Sequence, residues 1–277
     1  MFTRLLVGLD GSAGSDAALD AALRLAGRFR ATIVLAVVTD IRLLEAPLLE
    51  TAGSMWAEAP QVGLVAGDLR LALEERASRL LGAAASRVAA AGLTVETVRA
   101  TGVVDEELLR LAGDAEAIAI GRRGELHGEP GTLGAVTGHI IRHSPKPVLV
   151  AGETPSACER PLVAYDGGAT STHALELAAR YAEAIGAPLA VVHVADDAET
   201  GDALLAQAAA FLSEHGAAFE TRRLTGDVVR AVADFIPRYG ADLLVAGAHG
   251  GRGHRWTIGS HAARLVRSTT IPVIIQR

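Results

Sequence analysis

The chain contains a single cysteine, Cys158, and a single lysine, Lys146. One thiol cannot close an internal disulfide and has no CxxC companion for zinc or redox chemistry. Cys158, beside Glu159 and Arg160, reads as a solvated linker thiol without a reactive role. Nor is there a run of eighteen apolar residues uninterrupted by charge or proline, which argues against a membrane span. Long basic blocks are missing too, and the net charge is -6. That balance speaks against a partner held by phosphate neutralisation along a nucleic acid. The opening "MFTRLLVGLDGS" reaches glycine and aspartate too early for a secretory h-region, so a cytoplasmic location is expected.

Several catalytic signatures are also missing. No GxxxxGK[ST] supports a P-loop NTPase, no GxGxxG follows a first strand, and no GxSxG marks a hydrolase elbow. His139 and His143 stand at i, i+4 without an HExxH glutamate and read as one helix face. His249, His254 and His261 lie among glycines with no cysteine nearby, so they read as solvent-facing or ligand-edge residues. No catalytic residue and no metal ligand is assigned.

What the chain does contain is a repeat. "RLLVGLDGSAGSDAALDAALRLAGRFRATIVLAVVTD" from Arg4 is echoed by "RPLVAYDGGATSTHALELAARYAEAIGAPLAVVHVADD" from Arg160. Each copy gives an apolar strand, an Asp-Gly turn, an amphipathic helix and a second apolar strand. Both copies end alike, in "SPKPVLV" and "TTIPVII". Polarity rises and periodicity stops between them, which sets a first domain at 1–153, a linker at 154–160 and a shorter second domain at 161–277. Strands are expected near 4–9, 32–38, 93–99, 116–120 and 147–151, with helices near 15–29, 67–91, 104–112 and 134–143. The second copy has strands near 161–165, 188–194, 218–223, 242–247 and 272–276. Alternating strand and helix makes this an α/β fold with parallel sheets covered on both faces. The first copy carries an extra stretch, residues 41–67. It could fold as a lid with Trp56 against a ligand, but its length points to passive packing or disorder.

The segment "AIAIGRRGELHGEPGTLGAVTGH" follows a buried strand with a glycine-rich loop and then a helix start. Ligands of open parallel sheets bind at this carboxyl edge. Glycines admit close backbone approach, successive amides form an anion nest, and a helix N-terminus suits phosphate. The pattern recurs as "AGAHGGRGHRWTIGSHAARLV". A nucleotide's sugar and phosphates fit that chemistry, although a glycine-rich loop also simply turns tightly.

These residues resemble the universal stress protein family in its tandem form. Gly121, Gly124 and Gly134 keep the spacing of the family's nucleotide-binding signature, and "VGLDGS" supplies Asp10. Ala135 stands where the family prefers a hydroxyl, and Thr137 matches a common second one. In the second copy Asp166, Gly247, Gly250, Gly259 and Ser260 follow the pattern with a loop one residue short. The resemblance implies two tandem doubly wound five-stranded parallel sheets, strand order 3-2-1-4-5, meeting along their last strands. It implies an adenine nucleotide such as ATP as ligand, with or without Mg, and a further pairing of chains into a homodimer is compatible with it. It also implies that Asp10 accepts hydrogen bonds from ribose or base, that the Val37 backbone pairs with adenine, and that Ile120 packs on the base. Gly121, Gly124, Gly134, Ala135, Val136 and Thr137 would wrap the phosphates. The guanidiniums of Arg122 and Arg123, beside that loop, would fork onto phosphate oxygens or remain solvated loop charges. Asp166, Val194, Gly247, Gly250, Gly259 and Ser260 form a second candidate site, ranked below the first. A nucleotide-binding sensor or regulator in stress response is the expected function. The alternatives are slow ATP hydrolysis, for which Glu125 and His127 are the nearby basic groups, and an interaction scaffold that has lost its nucleotide.

Overall fold

The computed structural model describes residues 2–43, 59–124, 132–214, 216, 218–249 and 260–277, with backbone only for 59–67, 260 and 261. The first half runs β1 (Arg4–Leu9), α1 (Ala13–Phe29), β2 (Thr32–Asp40), α2 (Ala59–Ala90), β3 (Val95–Gly102), α3 (Val104–Leu111), β4 (Ala117–Ile120), α4 (Ala135–His143) and β5 (Val148–Val150). The second repeats it as β6 (Pro161–Ala164), α5 (Ala169–Ile185), β7 (Leu189–Val194), α6 (Ala198–Glu214), β8 (Phe219–Leu224), α7 (Val228–Tyr239), β9 (Leu243–Gly247), α8 (Ser260–Ser268) and β10 (Val273–Gln276). Helix α2 starts at Ala59, well before the expected 67, and so takes in the end of the 41–67 stretch. Trp56 lies outside the described residues.

The strands form one ten-stranded sheet in the order β3-β2-β1-β4-β5-β10-β9-β6-β7-β8, so each half has the order 3-2-1-4-5. Pairing within each half is parallel. The halves join where β5 and β10 pair antiparallel, with Val150 opposite Val273, Leu149 opposite Ile274 and Val148 opposite Ile275. Both strands are short and, apart from the half-buried Gln276 that ends β10, apolar and buried, so each covers an edge that would otherwise present open backbone groups.

The core follows from the period-2 alternation of strand side chains. Leu5 and Val7 of β1 face one layer, with Leu19, Leu25, Leu81 and Tyr181 from α1, α2 and α5. Leu6 points the other way, into a layer with Leu108, Ile140, Val232 and Val266 from α3, α4, α7 and α8. A strand buried on both faces needs an unbroken apolar run, and "LLVGL" from Leu5 supplies one.

The helix ends have local causes. Ser12 caps α1 by accepting the Ser15 amide at 3.1 Å, and Asp227 caps α7 by accepting the Arg230 amide at 3.0 Å. Gly186 and Gly240 end α5 and α7 in left-handed conformations.

The connection between halves is not a solvated tether. Cys158, expected in solvent, is 1% exposed, and its carbonyl accepts the Tyr181 hydroxyl at 2.6 Å. The amides of Glu159 and Arg160 both donate to the Asp242 carboxylate, at 3.0 and 2.7 Å. Ser156 donates its hydroxyl to the Asp242 carbonyl. These bonds fold the segment under α5, and the thiol goes inside with it.

Candidate functional site

At the carboxyl edge of the first half, β1 is followed by Asp10, whose Oδ1 accepts the Ser12 amide at 2.9 Å and the Ser12 hydroxyl at 2.6 Å. The carboxylate thereby organises the turn into α1. Its other oxygen faces the loop after β4, where a Cβ built on Gly124 would lie 2.6 Å from Asp10 Oδ2. Any side chain at 124 would displace that carboxylate, so Asp10 and the glycine loop form one unit.

The neighbouring glycines are used by the protein itself. A Cβ on Gly121 would stand 2.6 Å from the carbonyl carbon of Gly14, and one on Gly14 would stand 2.5 Å from the carbonyl oxygen of Arg123. Two bare backbones are in contact there, the first turn of α1 against the end of β4. Gly14 was not among the expected site residues. Its signal was legible all the same, because a glycine within the first turn of a helix costs stability unless something needs the room.

Gly134 is the N-cap of α4, and its amide donates to the Arg122 carbonyl at 2.9 Å. It brings no side-chain cap, and the first turn of α4 holds no acid. Helix α1 at the same edge is capped by Ser12. The amides of Ala135 and Val136 therefore start a helix whose positive end is not answered by a capping side chain or an acidic residue of its first turn.

Four expectations change in detail. Thr137 is buried, and its hydroxyl donates to the Gly121 carbonyl at 2.8 Å, so it braces the loop instead of facing a phosphate. Ile120 is 4% exposed within the layer of Leu108 and Ile140, its surface already covered by protein. Val37 lies inside β2, not at its end: β1 stops opposite it, while Val38 to Asp40 continue alongside β3 as far as Gly102.

Arg122 departs furthest from expectation. Its side chain is turned away from the loop and buried, donating to the carbonyls of Ala151 at 2.8 Å, Ile271 at 2.8 Å and Val266. Burial lowers the guanidinium's pKa from its ordinary value, and the nearby Glu153 charge opposes that shift. Three carbonyl dipoles compensate this cation, so it is not available to fork onto a phosphate. Arg123 stays at the surface, 3.8 Å from Glu153.

Sequence reasoning also missed Arg76 of α2, which donates from Nη2 to the Asp10 carbonyl at 2.7 Å and sits with Leu80 over Gly11. It places a cation beside Asp10. The turn in the second half is covered differently. There Leu204 of α6 lies 2.7 Å from where a Cβ of Gly167 would be. Asp166 Oδ1 accepts the Ser171 hydroxyl at 2.6 Å and the Gly168 amide at 2.9 Å. Gly247 packs on Thr170 and Ser171, and the Thr170 hydroxyl clasps the loop by donating to the His249 carbonyl at 2.8 Å and accepting its amide at 3.2 Å. Burial, with the Arg277 charge adding, holds His249 below its ordinary pKa. Val194 ends β7 half-buried. Gly250 and Gly259 lie outside the described residues, as do Glu125, His127, Gly128, Gly131 and His254; Ser260 is described as the backbone start of α8.

His139 approaches Asp105 at 3.2 Å and stacks on His143 with ring centroids 4.0 Å apart. Among the described residues no group of three or more His, Cys, Asp or Glu side chains is arranged to hold a metal ion. No described helix is long and apolar enough to cross a membrane.

A duplicated five-stranded doubly wound sheet, with an aspartate after its first strand and a glycine loop after its fourth, defines a class of α/β proteins whose ligands meet the sheet at a switch point. The chain belongs to the universal stress protein family, whose model matches residues 1–152 and again 159–277. It is 30% identical to a universal stress protein of Synechocystis sp. over 285 residues, covering 99% of both chains. A universal stress protein of Mycobacterium tuberculosis is 28% identical over 299 residues, covering 99% of this chain and 96% of the relative. Among solved structures, a universal stress protein from Archaeoglobus fulgidus superposes with a TM-score of 0.78 at 20% identity, covering 100% of this chain and 99% of that one.

Proposed function

We propose that the first half binds an adenine nucleotide, ATP foremost, at the carboxyl edge between β1 and β4, and that the protein acts as a cytoplasmic sensor or regulator whose state follows nucleotide occupancy. The observation that carries this is the start of α4. A nine-residue helix with neither a capping side chain nor a first-turn acid opens beside a glycine loop seated on Asp10. That arrangement suits phosphate oxygens. Asp10 Oδ2, on the loop side, suits a ribose hydroxyl or a base amine. Gly121, Gly124, Gly134, Ala135 and Val136 supply main chain for the phosphates. Thr137, Ile120 and Arg122 hold that main chain in place from behind, and Arg76 adds positive charge at the ribose side. Mg accompanies the phosphates if the bound species is the triphosphate.

The second half fits the same ligand less well. The Thr170 clasp spends a hydroxyl on the loop's own backbone, and the atoms nearest Gly167 all belong to Leu204, where in the first half Arg76 shares the turn with Leu80. Binding is therefore assigned to the first half.

Calorimetric titration of the whole chain with ATP, ADP and AMP tests the proposal. One site per chain is expected, lost in Gly124→Leu. No heat and no thermal shift at millimolar nucleotide, together with no nucleotide in the ultraviolet spectrum of the purified protein, would leave an interaction scaffold as the surviving alternative.

A further inference from the structure

The Arg122 side chain binds backbone of both halves. Its main chain belongs to the first-half loop, because its carbonyl accepts the Gly134 amide at the start of α4 and it directly follows Gly121, whose carbonyl holds Thr137. Its side chain belongs to the joint. One carbonyl it binds, Ala151, follows β5 in the first half; the other two, Val266 and Ile271, lie in the second half. Val266 is in the last turn of α8, where carbonyls have no partner within the helix and the dipole is negative. Ile271 leads into β10, and the amides of Glu153 and Thr154 reach across to the neighbouring Thr270 carbonyl at 2.7 and 3.2 Å.

The strap is one-sided. Position 248, which follows Gly247 as Arg122 follows Gly121, is a buried alanine. Helix α8 is also the element whose N-terminus, at Ser260, borders the second loop, as α4 borders the first. One guanidinium therefore grips the far end of the helix that shapes the other half's edge.

We infer that Arg122 is a positioning residue that couples the two halves, so that a change in the first-half glycine loop is passed through its guanidinium to the C-terminal turn of α8 and the start of β10. A fork with three fixed acceptors cannot follow a moving loop without pulling on them or releasing them. Release strands a buried cation. The loop, the joint and the end of α8 thus favour moving together, which is the physical condition for coupling between distant sites. Coupling to nucleotide rests on the proposed first-half binding; coupling to loop geometry does not.

Hydrogen exchange of the full chain separates the two. Gly124→Ala presses a methyl onto the Asp10 carboxylate, whose other oxygen is held by the Ser12 amide and hydroxyl, so the strain is shared between that turn and the loop with no ligand present. In that variant, exchange over residues 262–273 is expected to rise by about threefold or more. In an Arg122→Lys background, which keeps the charge but loses the fork, the same substitution is expected to leave 262–273 unchanged. Should Gly124→Ala alter residues 117–123 yet not 262–273, or act equally in both backgrounds, the coupling is overturned. The second arm adds millimolar ATP to the unmodified chain. Changes in both 132–138 and 262–273 support the inference and the binding proposal together. A change confined to 132–138 overturns the coupling and leaves binding standing. No change in either refutes binding, and the Gly124→Ala arm then decides the coupling alone.

Discussion

Replacing Gly121 with alanine should destabilise the protein in the complete absence of nucleotide. The new Cβ would lie 2.6 Å from the Gly14 carbonyl carbon, 2.9 Å from its oxygen and 3.0 Å from its Cα. Comfortable carbon–carbon separation is about 3.5–4.0 Å. Two main chains must part by up to an ångström, and neither can rotate away as a side chain would. Overpacking of this kind costs about 1–3 kcal/mol, and contact with backbone on both sides places Gly121→Ala at the upper end. For a chain of this size that is a fall of about 5–10 °C in Tm. Urea unfolding of the nucleotide-free protein, followed by circular dichroism, measures it. Gly82→Ala is the control: Gly82 sits within α2 with nothing within 4 Å of its would-be Cβ. There alanine should stabilise by about 0.5–1 kcal/mol, because it narrows the unfolded chain's freedom and suits a helix. Opposite signs from one substitution type in one protein test the geometry directly. If Gly121→Ala proved as stable as the parent, the close approach of α1 to β4 would be wrong, and the signature glycine would have to be explained by ligand alone.

Ala135→Ser restores a hydroxyl at the first turn of α4 and should tighten nucleotide binding by about 0.5–1.5 kcal/mol, one net hydrogen bond, or about 2–12-fold in the Kd from calorimetry. Ser12→Ala removes the cap of α1 and should cost about 1 kcal/mol in a urea titration. Burial pushes the Cys158 thiol up to about 11 from an ordinary 9.0. The sign follows from proton counting: between those values the unfolded chain releases a proton that the native state keeps, so stability falls as pH rises from 9 to 11. The loss attributable to this group approaches about 2–3 kcal/mol, and the unfolding midpoints at pH 8 and pH 10.5 should lie closer together in Cys158→Ala than in the parent. The same burial predicts that the native thiol resists alkylation at pH 8 and reacts at once in denaturant.

Much of the sheet was written in the sequence, since apolar runs buried on both faces and Asp-Gly turns after β1 and β6 leave few other arrangements. The joint was expected only through the family resemblance, to which the two proline-led apolar strands at the ends of the copies lend a physical reason, since each needs cover. What sequence could not reveal was where long or short side chains go when their partners are distant. Arg122 stands 144 and 149 positions from the two second-half carbonyls it binds, and two arginines inside a glycine loop look like anion ligands. Cys158 lies where periodicity stops, but periodicity reports packing within an element; hydrogen bonds to Asp242 and Tyr181 bury this segment instead. Thr39 and Asp40 looked like the exit from a strand, yet pairing with β3 carries the ladder through them to Gly102. At the site itself, the glycine spacing was visible and its cause was not, since a stripped backbone is equally required by a phosphate and by another backbone.

That double requirement bears on how the two halves came to differ. Neither half can lose its last strand, because β5 and β10 cover each other and removing one would open an apolar edge on the other. No such constraint ties the loops together. In the first half, glycine meets glycine at positions 14 and 121, so α1 meets the end of β4 through main chain alone, and the side-chain brace on the loop comes from α4, where the Thr137 hydroxyl donates to the Gly121 carbonyl. In the second, Thr170 replaces the glycine and bonds the loop through its hydroxyl. That clasp ties the second loop to α5 directly. Position 14 offers no such side chain in the first half, so an added anion that gathers the amides there supplies a link the second half already has. The half without the clasp is thus the half whose stability a nucleotide would raise most, as expected if occupancy is what the protein reports.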